Sequence, residues 1–325
     1  MNNSLLRCIG LLAAVLVASA VPRQGLAQAY PGKTVRIIIP FSPGGSADVQ
    51  ARILGQKLGE LWGQSVIVES KPGAGTTIGA AYAASSAPDG YTLYLAGASL
   101  LISGNLYKNL AYDAVKSFAP VSMLASSPYV LAVHPAVKAN TVRELIELAK
   151  AKPKAISYAS AGSGSGSHLA GELFRMLTGA EFLHVPYKGQ APALVALAGG
   201  EIDFLFADVA VLPLLQSGKL RALGETGLRR SPMLPSMPLV TDSGVAGYEM
   251  INWGAILAPA GTPRAIVSQV NAAINSMVQI ADVRQRFNAM GFEPMSSTPE
   301  ALGELLVSEA AKYARVVRES GMKIE

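Results

Sequence analysis

The sequence predicts an α/β fold made of two halves, each a mostly parallel sheet wrapped by helices. Three observations carry this expectation. One phrase is written twice. A strand-like run at 34–39 leads into Pro40-Phe41-Ser42-Pro43-Gly44-Gly45-Ser46-Ala47-Asp48 and a helical pattern, and a run at 155–160 leads into Ala161-Gly162-Ser163-Gly164-Ser165-Gly166-Ser167-His168 and another helical pattern. Short apolar runs alternate with helical periods along most of the chain, the order that places parallel strands between covering helices. The length of 325 residues, 50% hydrophobic and 15% charged, suffices for a large core and lies where single cores tend to divide in two.

Residues 33–41 read as a buried strand. Over 46–61, Val49, Ile53, Leu54, Leu58 and Leu61 share one helical face, with Gln50, Lys57 and Glu60 on the other. A short strand at 64–69, a turn at Lys71-Pro72-Gly73-Ala74-Gly75, a small-residue helix over 76–86 and a strand at 91–95 complete a β-α-β-α-β run. The second half opens at Tyr129-Val130-Leu131-Ala132-Val133. Thr141 is expected to cap a helix, with Glu144 at the capping-box position. Strand 155–160, the Gly/Ser loop, helix 167–178, strand 181–185, helix 190–198, strand 202–207, helix 209–217 and strand 220–224 follow. Residues 228–247, rich in Pro, Gly and Ser, read as a long irregular return. A strand at 251–258 leads out of it, and helices after Pro263 and Pro299 close the chain. In the last, Leu302, Leu305, Leu306, Ala310, Tyr313 and Val317 form a core stripe. Periodicity alone leaves open whether these helices return to the first half.

The first 29 residues read as a signal peptide. Asn2, Asn3 and Arg7 form a short positive region, the apolar run from Cys8 to Ala18 is too short to span a bilayer, and of two cleavage-type sequences, Ala18-Ser19-Ala20 and Ala27-Gln28-Ala29, the second is favoured because the patterned sequence begins at Tyr30, with an uncleaved anchor as the alternative. Cys8 is the only cysteine and leaves with this segment. The exported chain then has neither disulfide nor thiol nucleophile, which fits a bacterial periplasm better than a small disulfide-built secreted domain. Without Arg7 and Arg23 the formal charge of +5 falls to a mild basic excess, a weak help in attracting anions. No basic run or basic-aromatic stripe suggests a nucleic-acid partner.

A strand, a Gly/Ser loop and a helix N-terminus form an anion-binding device. The loop admits a ligand close to the backbone, and the first helical N–H groups have no partner inside the helix. Two such devices suggest two halves gripping one anionic solute. Signals for catalysis are weak. There is no G-x-S-x-G elbow, no complete G-x-G-x-x-G after a strand and no Walker A sequence. His134, His168 and His184 lack metal-ligand spacing, and neither metal nor cofactor is expected. A serine hydrolase using Ser165 or Ser167 with His168 is the alternative, although adjacency in sequence does not make a triad.

Longer stretches carry a resemblance. Tyr30-Pro31-Gly32-Lys33, the run from Pro40 to Arg52, Lys71-Pro72-Gly73-Ala74-Gly75, Ala87-Pro88-Asp89-Gly90-Tyr91-Thr92-Leu93, Ser167-His168-Leu169-Ala170-Gly171-Glu172-Leu173-Phe174, His184-Val185-Pro186-Tyr187-Lys188-Gly189 and Ala258-Pro259-Ala260-Gly261-Thr262-Pro263 follow in order along the chain. Together they resemble the Bug family, the extracytoplasmic solute receptors of tripartite tricarboxylate transporters. The resemblance implies a two-lobe periplasmic binding protein with two crossings between lobes, one lobe from 30–128 plus 252–325 and the other from 129–251. It implies a small carboxylate held in the cleft by loop N–H groups, hydroxyls and ordered waters, and delivery to membrane permease subunits. A sensor subunit serving a membrane kinase differs only in its partner. A monomer is expected. In one place the chain departs from the family, which often carries Phe-Asp-Asn where Phe206-Ala207-Asp208-Val209 stands here. That leaves the role of Asp208 open and bears on ligand choice.

Within that frame Gly44 and Gly45 are expected to bring backbone donors to a carboxylate, with Ser42 adding a hydroxyl. Phe41 is either a wall of the pocket or core, and Asp48 either a ligand contact or a complement to the helix dipole. At least one of Ser163, Ser165 and Ser167, around Gly164, should reach the ligand. His168 is either a donor or a capping residue. Tyr187, Lys188 and Gly189 open another helix, with Lys188 either a counter-charge or simply solvated. Ala98 and Ser99 follow a strand at its carboxyl end, where open α/β sheets bind ligands.

Overall fold

The computed structural model describes residues 30–232 and 234–322. The expected signal peptide and Cys8 lie outside the described residues. In chain order the first part contributes β1 (Val35–Ile39), α1 (Ser46–Trp62), β2 (Val66–Ser70), α2 (Thr77–Ala84), β3 (Thr92–Ala96), α3 (Ala98–Leu106) and β4 (Phe118–Pro128). Then come β5 (Val130–Val133), α4 (Val142–Ala151), β6 (Ser157–Ser160), α5 (Gly166–Thr178), β7 (Leu183–Pro186), α6 (Gln190–Ala198), β8 (Phe204–Ala207), α7 (Leu212–Gln216) and β9 (Arg221–Glu225). The chain closes with β10 (Ile251–Pro259), α8 (Arg264–Met277), α9 (Ala281–Ala289), β11 (Glu293–Pro294) and α10 (Pro299–Ser320).

These strands form two sheets, in the orders β11-β4-β10-β3-β1-β2 and β7-β6-β8-β5-β9, each the centre of one lobe. Most strands of each sheet point the same way, as expected, but both sheets are mixed. β10 runs against β3 and β4, β11 runs against β4, and β5 runs against both β8 and β9. β5 and β10 are the strands that follow the crossings, so each enters its sheet against its neighbours.

Burial on both faces explains the continuous apolar runs. In β1, Ile38 joins Tyr94, Ala96, Ala80, Leu101 and Leu302 in one cluster, while Ile37 lies beneath Gly55 of α1. In β5, Leu131 and Val133 pack with Tyr158, Phe174 and Phe206, whereas Val130 and Ala132 pack with Leu197, Leu205 and Val211.

Several elements, among them β4, α3 and the two-residue β11, have no counterpart in the sequence reading. β4 contains Pro120 and three serines, which hide a central strand from any apolar count. Ser122 is tolerated there because its hydroxyl donates to Met123 O at 2.8 Å and accepts from Ser297 N at 3.2 Å. Helix α3 begins directly at Ala98. The expected helix over 209–217 is broken into a 3-10 turn at Val209–Val211 and the short α7, with Pro213 in its first turn, where proline's missing N–H costs nothing. Thr141 caps α4 through a bond from Glu144 N at 3.2 Å, but the Glu144 carboxylate reaches one residue further back than a capping box requires, accepting from Asn140 N at 2.6 Å.

The last helices do return to the first sheet. Asn271 of α8 donates to Val121 O at 2.8 Å, and Tyr313 of α10 accepts from Trp253 Nε1 at 3.3 Å. α10 also reaches the second lobe, where Arg175 donates to Ser320 O at 2.6 Å and Glu249 lies 3.7 Å from Lys312.

The crossings are short. Only Tyr129 separates β4 from β5, and Met250 leads straight into β10. Thr226 joins them. Its N–H donates to Tyr129 O at 3.0 Å, its O accepts from Met250 N at 3.2 Å, and its hydroxyl accepts from Tyr129 N at 2.8 Å while donating to Met250 O.

Candidate functional site

Strand register brings the loops of both lobes to the crossings. In the first sheet the start of β10 lies beside the ends of β3 and β4, with Ala255 opposite Ala96 and Ile251 opposite Pro128. In the second, Val130 at the start of β5 lies opposite Ala207 and Glu225, the ends of β8 and β9. Ser160 and Pro186 end β6 and β7 at the same level. The carboxyl ends of β1, β3, β6, β7 and β8, and the loops that follow them, therefore all face the region where the chain passes between lobes.

The repeated phrase folds the same way twice. Gly44 (φ 89) and Gly164 (φ 80) adopt left-handed turns, a conformation glycine reaches without steric cost. In each turn the glycine N–H is held by the side chain four residues on: Gly44 N donates to Asp48 Oδ2 at 3.0 Å, and Gly164 N donates to His168 Nδ1 at 3.2 Å. Asp48 is buried and also bonded by Arg52 Nε at 2.9 Å, and that bond, then Gly44 N–H, holds its carboxyl below the usual range against the effect of burial. His168 is buried too, its ring stacked on His184 with centroids 3.8 Å apart. Burial first, then the neighbouring ring, pushes His168 down to about 3, and burial pushes His184 down to about 4. Both candidates are thus loop braces, and the Gly44 and Gly164 amides are already spent.

What remains open are the amides just beyond the turns. Helix α1 follows Gly45 with no side-chain cap; the turn at Pro43-Gly44 directs the Gly45 N–H back toward Ser42 O, and the N–H groups of Ser46 and Ala47 have no partner among the described residues. α3 starts the same way at Gly97 and α6 at Gly189. α8 and α9 also lack side-chain caps, so a missing cap alone does not mark the site. A glycine N-cap at a strand's carboxyl end does. Ala98 and Ser99 are the first residues of α3, not loop residues, which places their amides at an open helix end.

The second loop is more tightly braced. Ser165 Oγ caps α5 through His168 N at 3.3 Å, and Ser167 Oγ accepts from Ala161 N at 2.9 Å. Ser163 alone of the three has no bond within the described protein. Gly189 N donates to Ala161 O at 3.1 Å and ties the Tyr187-Lys188-Gly189 loop to it. Lys188 is exposed. Phe41 is 38% exposed, which fits a rim residue rather than core. Ser42 is exposed beside it. Asp208 follows β8, where its Oδ1 accepts from Ala210 N at 3.1 Å.

The lobes meet beside these loops. A Cβ on Gly164 would lie 3.2 Å from Leu106 Cδ1 at the end of α3, one on Gly166 would overlap the Tyr129 hydroxyl, and one on Gly291 would overlap Val209. Tyr129 and Thr226 were not singled out as site residues by sequence. A tyrosine heading an apolar run looks like core, and a lone threonine carries no signal. Two recesses elsewhere, about 430 Å³ around Tyr107 and Tyr112 and about 260 Å³ around Ser127 and Arg230, share no residue with these loops.

Among the described residues no serine hydroxyl bonds the His168 ring. The one Ser–His side-chain bond among the described residues joins Ser160 Oγ to His184 Nε2 at 2.8 Å, and Ser160 is fully buried, beyond reach of a substrate.

Two α/β lobes, joined by two short crossings and presenting uncapped glycine-led helices to the boundary between them, define a two-lobe solute-binding protein. Residues 50–322 match the family described as tripartite tricarboxylate transporter family receptor, and the chain belongs to that family. It is 36% identical to Protein BugT of Bordetella pertussis, over 98% of this chain and 99% of that one. Among solved structures, R. palustris Rpa4515 with adipate superposes with a TM-score of 0.82 at 32% identity, covering 91% of this chain and all of that one. MatC from Rhodopseudomonas palustris with bound malate gives 0.79 at 30% identity, covering 89% of this chain and 100% of that one. The chain is a periplasmic solute-binding receptor of the tripartite transporter type.

Proposed function

We propose that this receptor captures a small carboxylate between its lobes and delivers it unchanged, as a monomer, to the membrane permease subunits of a tripartite transporter. The lobes divide at 128/129 and 251/252, and the exported chain begins near Tyr30. The observation that carries this reading is the set of glycine-led helix N-termini at Gly45, Gly97 and Gly189, all without side-chain caps and all at carboxyl ends of strands facing the crossings. Such amides attract negative charge. Two related receptors hold dicarboxylates, adipate and malate, which supports a carboxylate here. A serine-hydrolase reading lacks, among the described residues, a histidine bonded to an accessible serine hydroxyl.

A ligand that touches both lobes binds the closed form better and shifts the population toward it. The short crossings at Tyr129 and Met250 suit a hinge. The test is a thermal-shift screen of mono-, di- and tricarboxylates on the mature protein. A ligand at one hundred times its Kd adds about 2.7 kcal/mol to folded-state stability, and the same ligand should reduce the radius of gyration in small-angle scattering. Turnover of an ester with no carboxylate binding would replace the receptor reading with the hydrolase one.

A further inference from the structure

Asp208 follows the carboxyl end of β8, where the two lobes meet, and no ion pair to its carboxylate is found among the described residues. It is fixed there from both sides. Ala207 before it pairs with Val130, the first residue of β5 after the Tyr129 crossing. Val209 after it is packed against Gly291 of the other lobe so closely that a Cβ there would overlap it. One oxygen, Oδ1, accepts the Ala210 N–H. No lysine, arginine or histidine forms an ion pair with Asp208 among the described residues. The side chain stays partly open to solvent, yet it is enclosed enough that burial raises its pKa, and its charge in turn raises that of the Tyr129 phenol. Partial access combined with burial leaves this carboxylate poorly hydrated yet reachable.

Such a group works against a plain carboxylate, because like charges in a poorly solvated recess repel. Capping the turn does not require the charge, since asparagine caps as well as aspartate. An uncompensated carboxylate at the same ends of the strands as the open helix N-termini instead matches a ligand that carries both signs. We propose that Asp208 is a specificity-determining residue that accepts an ammonium group, so that the preferred solute is an amino carboxylate with its carboxylate on the loop amides and its nitrogen on the open oxygen of Asp208. This rests on the carboxylate-receptor reading above and names the class of solute within it.

The test is calorimetry near neutral pH on the mature protein and on Asp208→Asn, which keeps the cap, with circular dichroism to check folding. The probes are matched pairs differing only by an amino group: succinate and aspartate, glutarate and glutamate, adipate and 2-aminoadipate. In the wild type the amino member of at least one pair should bind at least tenfold tighter than its partner. In Asp208→Asn that preference should fall to about threefold or less. Three results overturn the proposal while leaving a carboxylate receptor intact: tighter binding of the plain member of every pair that binds, an amino preference unchanged in Asp208→Asn, or dicarboxylate binding that strengthens on acidification and is lost in Asp208→Asn, which would make Asp208 a proton donor. Absence of binding by all six probes, together with silence in the wider carboxylate screen, would overturn both readings.

Discussion

Thr226→Val should loosen the junction of the two lobes without changing side-chain volume much. Thr226 is fully buried, as is Met250, and Tyr129 is nearly so. The threonine hydroxyl accepts from Tyr129 N at 2.8 Å and donates to Met250 O. Valine removes both bonds and leaves a donor on one crossing and an acceptor on the other in an interior that water does not reach. Each orphaned group costs about 1–3 kcal/mol, so the pair costs about 2–6 kcal/mol. The bonds made by the Thr226 backbone survive, which holds the loss toward the lower end. Equilibrium urea unfolding measures it, with Thr226→Ser as the control that restores the hydroxyl at the price of one methyl. A stability loss in the valine variant no larger than in the serine variant would refute this account, because the hydroxyl would then contribute nothing to joining the crossings.

The loop amides are tested by Gly45→Val, where φ is −82 and only Ser42 O lies within 4.0 Å of the new Cβ. The protein should fold normally and lose carboxylate affinity at least tenfold, whereas Lys188→Ala should change it by less than about 1 kcal/mol; calorimetry giving the opposite order would transfer recognition to side-chain charge. Gly171→Ala places a Cβ against the ring of buried Tyr158 and should destabilise by about 1–3 kcal/mol through overpacking, read as a lowered urea midpoint; an unchanged midpoint would mean that α5 can lift off the sheet freely. His168 and His184 are held neutral in the fold at about 3 and about 4, against 6.5 unperturbed. The unfolded chain therefore binds more protons between these values, so stability is complete above about pH 6.5 and declines as pH falls toward about 4. His184→Phe should flatten that decline in a series of melting curves, and a wild-type melting temperature constant from about pH 7 to about pH 4.5 would contradict the assignment.

Much was legible in the sequence because it is enforced locally. The repeated glycine phrases require left-handed turns, and Gly44 and Gly164 adopt them. The apolar faces of α1 and α10 follow only in part from side-chain period: Leu54, Leu58, Leu302 and Tyr313 are buried, but Val49 and Leu61, expected on the same face, are exposed, and Gln50, expected outside, is buried against Gly254 of β10. The alternation of strands and helices, and with it two α/β lobes, needs only the local period and the turns. Other features depended on partners distant in sequence. β4 is a strand because β10 and β11 flank it and because Ser297 satisfies Ser122, not because its own residues favour one. The reversal of β5 and β10 follows from the crossings, which no periodicity encodes. The same holds at the site. Sequence marked both loops, but only the fold revealed that Asp48 and His168 consume the Gly44 and Gly164 amides and leave the donors further on. Thr226 gave no local signal, since its bonds run to residues 97 and 24 positions away. Asp208 was noticed as a departure in the sequence, and only tertiary structure placed it between the Tyr129 crossing and Gly291 with its charge unanswered. Local chemistry determines which backbone groups can be offered to an anion; which of them stay free is decided where chains distant in sequence meet.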